Sequence, residues 1–391
     1  MQREQKKLRV LQVVNVRWFN ATAWYGLNLA RLLRKAGHES LVLALPHTRA
    51  FAAAQDMGLS PLPFDFNSAN PLTLARSLAR AAGLLQEFRP HIVDCHRGEG
   101  LIFWGGLKKF FPFALARTRG DQRPPRGNFF NRFLHGRLLD ALIATNSRTL
   151  VQCRTILKIP DERLHLLPGG VDRERFFPNP SAKAQVRRTF GFTPEDLVIG
   201  LLGRFDPVKG HRELLEAVSG LRREQTGRGA ISRVRLLFIG RPAALSADDV
   251  KALAVSLGLD EVTALACDVQ DAPAHINAFD LGVIASQGSE AIARAALEIM
   301  ACAVPLIGTD TGVMPDLLDK EALAPTGDAA ALSALLARAI ADAGWREALR
   351  LEQSRRLPSL SDEAFLADTL RIYRAVLRGG NSDQYQLPPD L

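Results

Sequence analysis

Only four of the 391 residues are cysteine. Cys95, Cys153, Cys267 and Cys302 are scattered, and no two stand at the spacing of a zinc or redox pair. That excludes a disulfide-stapled scaffold, and free thiols in a reducing compartment are expected. Long apolar runs are missing too. No segment reaches the roughly eighteen consecutive apolar residues of a membrane-spanning helix, and the first apolar stretch, Leu8–Val14, is too short and too polar for a signal peptide. No internal repeat is visible. Acidic residues are scarce in one half only. Residues 1–180 hold 13 Asp and Glu against 27 Lys and Arg, whereas residues 181–391 hold 28 against 23. A basic half beside an acidic half points to an anionic partner for the first: nucleic acid, an anionic membrane or an anionic glycan.

What is present is a folded chain long enough for two to three domains. Apolar runs alternate with amphipathic stretches. Strands are expected at Leu8–Val16, Glu39–Leu45, Pro90–Cys95, Ala141–Thr145 and Leu164–Leu167, and helices at Leu27–Ala36 and Leu72–Phe88. This rhythm means a parallel sheet covered by helices. Pro178-Asn179-Pro180 interrupts it, and a second such unit follows. Its expected strands are Leu197–Leu202, Val234–Ile239, Leu281–Ala285 and Pro305–Gly308. Its expected helices are Glu213–Leu221, Asp248–Leu257 and Ala329–Ala341, and Asp362–Leu377 closes the chain. The expected fold is therefore α/β, with Rossmann-like domains at 1–180 and 181–361 and a loosely held tail at 379–391. Such sheets bind ligands at the carboxyl ends of their strands.

Two features in the second half carry chemistry. Ser289-Glu290-Ala291-Ile292-Ala293-Arg294-Ala295-Ala296-Leu297-Glu298 sets two glutamates eight positions apart. On a helix that is a rise of about 12 Å, with Glu290 at the mouth and Glu298 further in. The pair suits a ligand with two polar ends, with the positive helix N-terminus facing a diphosphate between them. It suits equally a helix with an N-terminal acid and one buried, paired glutamate. Gly203-Arg204-Phe205-Asp206-Pro207-Val208-Lys209-Gly210 follows a buried strand directly. Arg204 offers a planar fork and Lys209 a point charge, and both can reach one diphosphate from a strand-to-helix loop.

Taken together, Gly203-Arg204, Lys209-Gly210, Glu290 and Glu298 resemble the donor site of family 4 retaining glycosyltransferases of the GT-B fold. Leu29-Ala30-Arg31 with Gly37-His38-Glu39 is similar to that family's first helix and second strand. Pro168-Gly169-Gly170-Val171-Asp172, followed by Phe176, is similar to its interdomain entry, with Gly169 where asparagine is usual. Met300-Ala301-Cys302-Ala303-Val304-Pro305 is similar to the following turn, with Ala303 where glycine is usual. The resemblance implies two Rossmann-like domains, with the C-terminal helix (about 362–378) packing back on the first. It implies that Arg204 and Lys209 hold the donor diphosphate, that Glu298 bonds the ribose, and that Glu290 lies beside the sugar, with Gly203 and Ala291 adjoining. Arg294, expected one turn into the helix on the approach to the sugar, is a further candidate, with a surface arginine as the other reading. Fixed cations stabilise the charge that grows on the leaving diphosphate. No Asp-x-Asp occurs, which fits metal-independent transfer, and no cofactor is implied beyond the nucleotide-sugar substrate.

The first half departs from the family. Paired glycines usual after the first strand are replaced near Asn20-Ala21, in an aromatic loop Arg17-Trp18-Phe19-Asn20-Ala21-Thr22-Ala23-Trp24-Tyr25 that can stack a sugar or pack on the core. The family's mid-domain histidine is also missing, and Ala114-Leu115-Ala116-Arg117-Thr118-Arg119-Gly120-Asp121 stands in its region. Asp121 or Arg119 is then expected near the acceptor, with His96 as the other candidate base. Residues 108–137 mix Lys108, Lys109, Arg117, Arg119, Arg123, Arg126, Arg132 and Arg137 with Phe110, Phe111, Phe113, Phe129, Phe130 and Phe133. That mixture suits the headgroup region of an anionic membrane. The combined expectation is a cytoplasmic, peripherally membrane-bound enzyme. It would transfer a sugar to a lipopolysaccharide-like glycan or glycolipid hydroxyl, with no nucleic-acid partner and with its oligomeric state open. The alternatives are another GT-B nucleotide-sugar enzyme, such as an epimerase, or a non-catalytic basic binder of nucleic acid or membrane.

Overall fold

The computed structural model describes residues 7–379 except Trp18, Ala69, Gln122, 225–228 and Ser289. Trp18, Ser289 and the tail beyond Gly379, all used in the sequence reading, lie outside the described residues. The chain divides into two compact units. One runs to Gly169 and resumes at Glu363; the other is Gly170–Asp362.

The first unit holds a seven-stranded parallel sheet in the order β3-β2-β1-β4-β5-β6-β7. Its strands are β1 (Arg9–Val14), β2 (Glu39–Ala44), β3 (Leu62–Pro63), β4 (Ile92–Cys95), β5 (Ala114–Arg119), β6 (Ala141–Ala144) and β7 (Leu164–Leu166). The second unit holds a six-stranded parallel sheet in the order β10-β9-β8-β11-β12-β13. These strands are β8 (Leu197–Leu202), β9 (Val234–Gly240), β10 (Thr263–Cys267), β11 (Leu281–Ile284), β12 (Leu306–Thr309) and β13 (Leu323–Ala324). Central strands such as β4, β6, β11 and β12 are buried at every residue. This is why they read as continuous apolar runs rather than alternating ones.

Three local expectations are corrected. The boundary falls at 169/170, not 180/181. Val171 forms a bridge to Ser361, Phe176 enters the second unit's core, and the Asn179 amide donates to Asn277 Oδ1 at 2.7 Å. The segment Ala21–Tyr25 is not a loop but the first turn of the helix Ala21–Lys35. Asn20 caps that helix, accepting from the Ala23 amide at 3.0 Å, so the position where glycine is usual is spent on a cap. Tyr25 is buried and donates to the Leu167 carbonyl at 3.2 Å, which removes it from any sugar-stacking surface.

The third correction concerns the two glutamates. The helix after β11 spans Arg294–Ala301, preceded by Ala293 in the left-handed region at φ 46°. Glu298 lies on it; Glu290 and Ala291 lie in the loop before it. Arg294 is its first residue rather than one turn in. Ala303, where glycine is usual in the family, also takes a positive φ of 55°.

The helix Asp362–Gly379 belongs, from Glu363 on, to the first unit. Phe365 packs edge-on against Tyr25 with ring centroids 4.7 Å apart. The Tyr373 hydroxyl donates to Asp94 Oδ2 at 2.7 Å.

Candidate functional site

The carboxyl edge of the second sheet gathers the donor-side candidates on two loops. The first leaves β8 at Gly203 and closes with a single 3-10 turn, Pro207–Lys209. Asp206 caps that turn, accepting from the Val208 amide at 3.1 Å. Gly210 takes φ +78°, and a Cβ there would stand 2.0 Å from the Ala285 carbonyl oxygen. Only glycine lets this loop lie against the end of β11. The Gln287 amide then donates to the Val208 carbonyl at 2.9 Å, tying the second loop to the first.

Across that seam Lys209 Nζ meets Glu290 Oε1 at 2.6 Å. The same carboxylate oxygen accepts from Ser286 Oγ at 2.5 Å. Glu290 is buried, and its carbonyl accepts from the Val313 amide at 2.8 Å, so the loop after β12 holds it as well. Thr309, the last residue of β12, donates its hydroxyl to the Ser286 carbonyl at 2.6 Å. One turn into the helix, Glu298 is paired with Arg294 Nε at 2.6 Å. Arg204 is partly exposed, with Nη2 3.2 Å from Asp206 Oδ2. The structure thus brings Gly203, Arg204, Lys209, Glu290, Ala291, Arg294 and Glu298 onto one edge of one sheet. Ser286 and Thr309 were not read from the sequence. Their signal was position alone, since each stands at or just past the end of a buried strand.

In the first unit the candidates separate. His96, expected as a catalytic group, is a core residue. It is buried, its Nε2 lies 2.5 Å from Gln12 Oε1, and burial pushes its pKa down. Its neighbour Asp94 is also buried, accepting from the Thr118 amide and hydroxyl and from Tyr373. Asp121 is partly exposed just past the end of β5, near two buried arginines, Arg117 and Arg119. Of the six interleaved phenylalanines, Phe113 is core, whereas Phe110, Phe129, Phe130 and Phe133 are 80%, 85%, 54% and 48% exposed. Among the described residues, no three His, Cys, Asp or Glu side chains are grouped to hold a metal ion. No helix among them is long and apolar enough to cross a membrane.

Two family models cover most of the chain: "Glycosyltransferase Family 4" over residues 22–175 and "Glycosyl transferases group 1" over 196–342. The chain belongs to the family 4 glycosyltransferases. Its two parallel-sheet units are the GT-B architecture of that family. A glycosyltransferase from Rickettsia africae superposes with a TM-score of 0.84, covering 96% of this chain and 100% of its own, at 18% identity. Anabaena HepE in complex with UDP gives 0.80, covering 94% and 100%, at 15% identity. Among curated proteins, D-inositol 3-phosphate glycosyltransferase of Kineococcus radiotolerans is 27% identical over 67% of this chain and 63% of its own length. A GDP-mannose-dependent alpha-(1-6)-phosphatidylinositol monomannoside mannosyltransferase of Mycolicibacterium smegmatis is 27% identical over 64% of this chain and 59% of its own. Matches to the first three curated relatives span 63%, 48% and 52% of those proteins.

Proposed function

We propose that this family 4 member transfers a sugar from a nucleoside diphosphate sugar to a hydroxyl of a glycan or lipid-linked acceptor, with retention of configuration. The observation that carries the reading is the laced edge of the second sheet, with Lys209 on Glu290 and Arg294 on Glu298 beside the partly exposed fork of Arg204, which leans on Asp206. In this reading Arg204 and Lys209 take the diphosphate. Lys209 turns from Glu290 to the phosphates, and Glu290 is left to face the sugar. Glu298 bonds the ribose, with Arg294 holding it in place, and the backbone at Gly203 and Ala291 lines the loops. Two cations held on one short loop stabilise the charge that grows on the leaving diphosphate, and in this reading need no divalent ion to do so. A front-side transfer lets the leaving phosphate accept the acceptor's proton, so no base from the first unit is required, and Asp121 serves the acceptor side instead.

The relatives support a nucleotide-sugar donor but point to different bases. HepE has been seen with UDP and with UDP-glucose, whereas the mannosyltransferase is GDP-mannose-dependent. The exposed phenylalanines among Lys109, Arg123, Arg126 and Arg132 support a reading in which the enzyme sits peripherally on an anionic bilayer, the inner face of the cytoplasmic membrane, and takes its acceptor from cell-surface glycolipids.

A thermal-shift panel of uridine, guanosine and adenosine diphosphates tests the donor site. At least one raises the melting temperature, and Lys209→Ala abolishes the rise measured against that variant's own baseline. A flat response across the panel removes the reading. Flotation with phosphatidylglycerol vesicles tests the membrane claim: the protein floats, and replacing Phe110, Phe129 and Phe130 by Ser leaves it in the bottom fraction.

A further inference from the structure

Arg117 and Arg119 stand two apart on β5, so they point to the same face of the sheet, near its carboxyl end. Both are buried. Their flanking positions on the neighbouring strands are Cys95, Leu142 and Ala144, none of them charged. The nearby carboxylate is Asp121, whose Oδ2 is 3.8 Å from Arg117 Nη2 and 3.6 Å from Arg119 Nη1, both beyond hydrogen-bond length. That side chain is itself 40% exposed and so well hydrated. Glu99 is taken by Arg97, with contacts of 2.6 and 2.9 Å.

The remaining partners are neutral. His135 accepts from Arg117 Nη1 through Nε2. Its Nδ1 faces the Asn131 carbonyl at 2.7 Å and must be the protonated nitrogen, so the ring carries no charge in this arrangement. Burial, then the charge of Arg117, pushes the His135 pKa down to about 4. Arg119 Nη2 donates to the Arg123 carbonyl. The Nε of Arg117 and the Nε of Arg119 are buried without an acceptor among the described residues. Gly98 lies against the Arg117 guanidinium, and a Cβ there would stand 3.0 Å from Nη2. Burial, then the charge of Arg119, draws the Arg117 pKa down to about 10.

Two desolvated guanidinium groups with one loosely placed carboxylate are a costly arrangement for a protein to keep. A small oxyanion resolves it, because each planar fork can take two oxygens of one phosphate or carboxylate. We propose that Arg117 and Arg119 form a subsite for a phosphate monoester carried by the acceptor, with Asp121 at its rim as the group an incoming anion displaces. The acceptor assignment rests on the proposed transferase activity; the anion site itself does not. A bilayer phosphodiester carries one charge and is held at the lipid surface, so a doubly charged phosphate monoester on the acceptor's glycan is the better match for two guanidinium forks.

The test is isothermal titration of inorganic phosphate into Lys209→Ala protein, which removes one of the two diphosphate-loop cations and leaves Arg204. Binding is expected to persist there and to weaken at least tenfold when Arg119→Gln is added. Asp121→Asn, at a partly exposed position, is expected to tighten phosphate binding about threefold or more, a gain that misfolding cannot mimic. Phosphate binding that vanishes with Lys209→Ala alone, or is indifferent to both first-unit changes, overturns the subsite. So does phosphatidylglycerol vesicle binding that changes with Asp121→Asn while phosphate binding does not. A failed nucleotide panel beside Arg119-dependent phosphate binding sinks the donor reading and leaves the subsite standing. The reverse pattern sinks the subsite alone.

Discussion

At the residue scale, the Lys209–Glu290 contact explains how a buried acid and a nearly buried cation coexist before any ligand arrives. Each neutralises the other, and Ser286 supplies a further donor. Removing the lysine alone leaves a buried carboxylate without its charge partner, which costs about 3 kcal/mol. A loss of nucleotide binding in Lys209→Ala therefore has meaning only against that variant's own melting point. Glu290→Gln is the cleaner probe. The amide keeps an oxygen for Ser286 and releases Lys209 for the diphosphate. Nucleoside diphosphate affinity is expected to hold or rise, while the transfer rate falls about a hundredfold, the size of loss seen when one preorganised polar group is removed from a transition-state site. Parallel isothermal titration and single-turnover assays separate the two effects. An equal fall in both places Glu290 in donor binding rather than beside the reacting sugar.

At the element scale, the helix Asp362–Gly379 docks on the first unit through Tyr373 with Asp94 and Gln12, through Phe365 with Tyr25, and by burying Leu370, Ile372 and Leu377. Asp94 is fully buried with Thr118 as its other donor, so the Tyr373 hydroxyl is part of what makes that carboxylate tolerable. Burial and the charge of Asp94 hold the Tyr373 phenol well above its ordinary pKa, keeping it a donor. Tyr373→Phe removes one oxygen from the core, and with it the donor to Asp94, and is expected to destabilise the first unit by about 1–3 kcal/mol, read as a fall in urea midpoint with the nucleotide-induced shift preserved. Elements made of uninterrupted apolar runs or clean helical spacing were legible in the sequence, and β8 and the helix Ala329–Ala341 match at both ends. The stretch before Arg294 was not. Alanine-rich sequence reads as helix, but Ala293 turns left-handed and a backbone bond from Val313 to Glu290 holds the loop. The Arg204–Lys209 loop was legible because it follows a buried strand directly. Arg119 was expected near the acceptor, but its burial beside Arg117 was not legible, because arginines in a basic stretch give no sign of burial until the strand that holds them is seen.

At the scale of the whole molecule, each unit carries a buried histidine held neutral. His135 lies in the first unit and His211 in the second, and burial pushes the pKa of each down to about 4. His211 lies between the rings of Phe205 and Phe238, with centroids 5.4 Å away on either side. The folded values lie below the ordinary value of about 6.5, so the unfolded chain binds more protons between the two. The stabilisation is complete above about pH 6.5 and drains away as pH falls toward 4. A displacement of that size corresponds to about 3 kcal/mol per histidine at the acid end. Both units are therefore expected to weaken over the same interval, although one is basic and the other acidic. Hydrogen exchange at pH 5 and pH 7, followed separately in β5 and β6 and in β8 and β9, reads the two units independently. His211→Leu should flatten the acid dependence in β8 and β9 and leave β5 and β6 unchanged. If the slope in the second unit survives that substitution, its acid sensitivity belongs to paired carboxylates such as Asp280, which holds both Lys183 and Arg187, and not to the histidine beneath the Arg204–Lys209 loop.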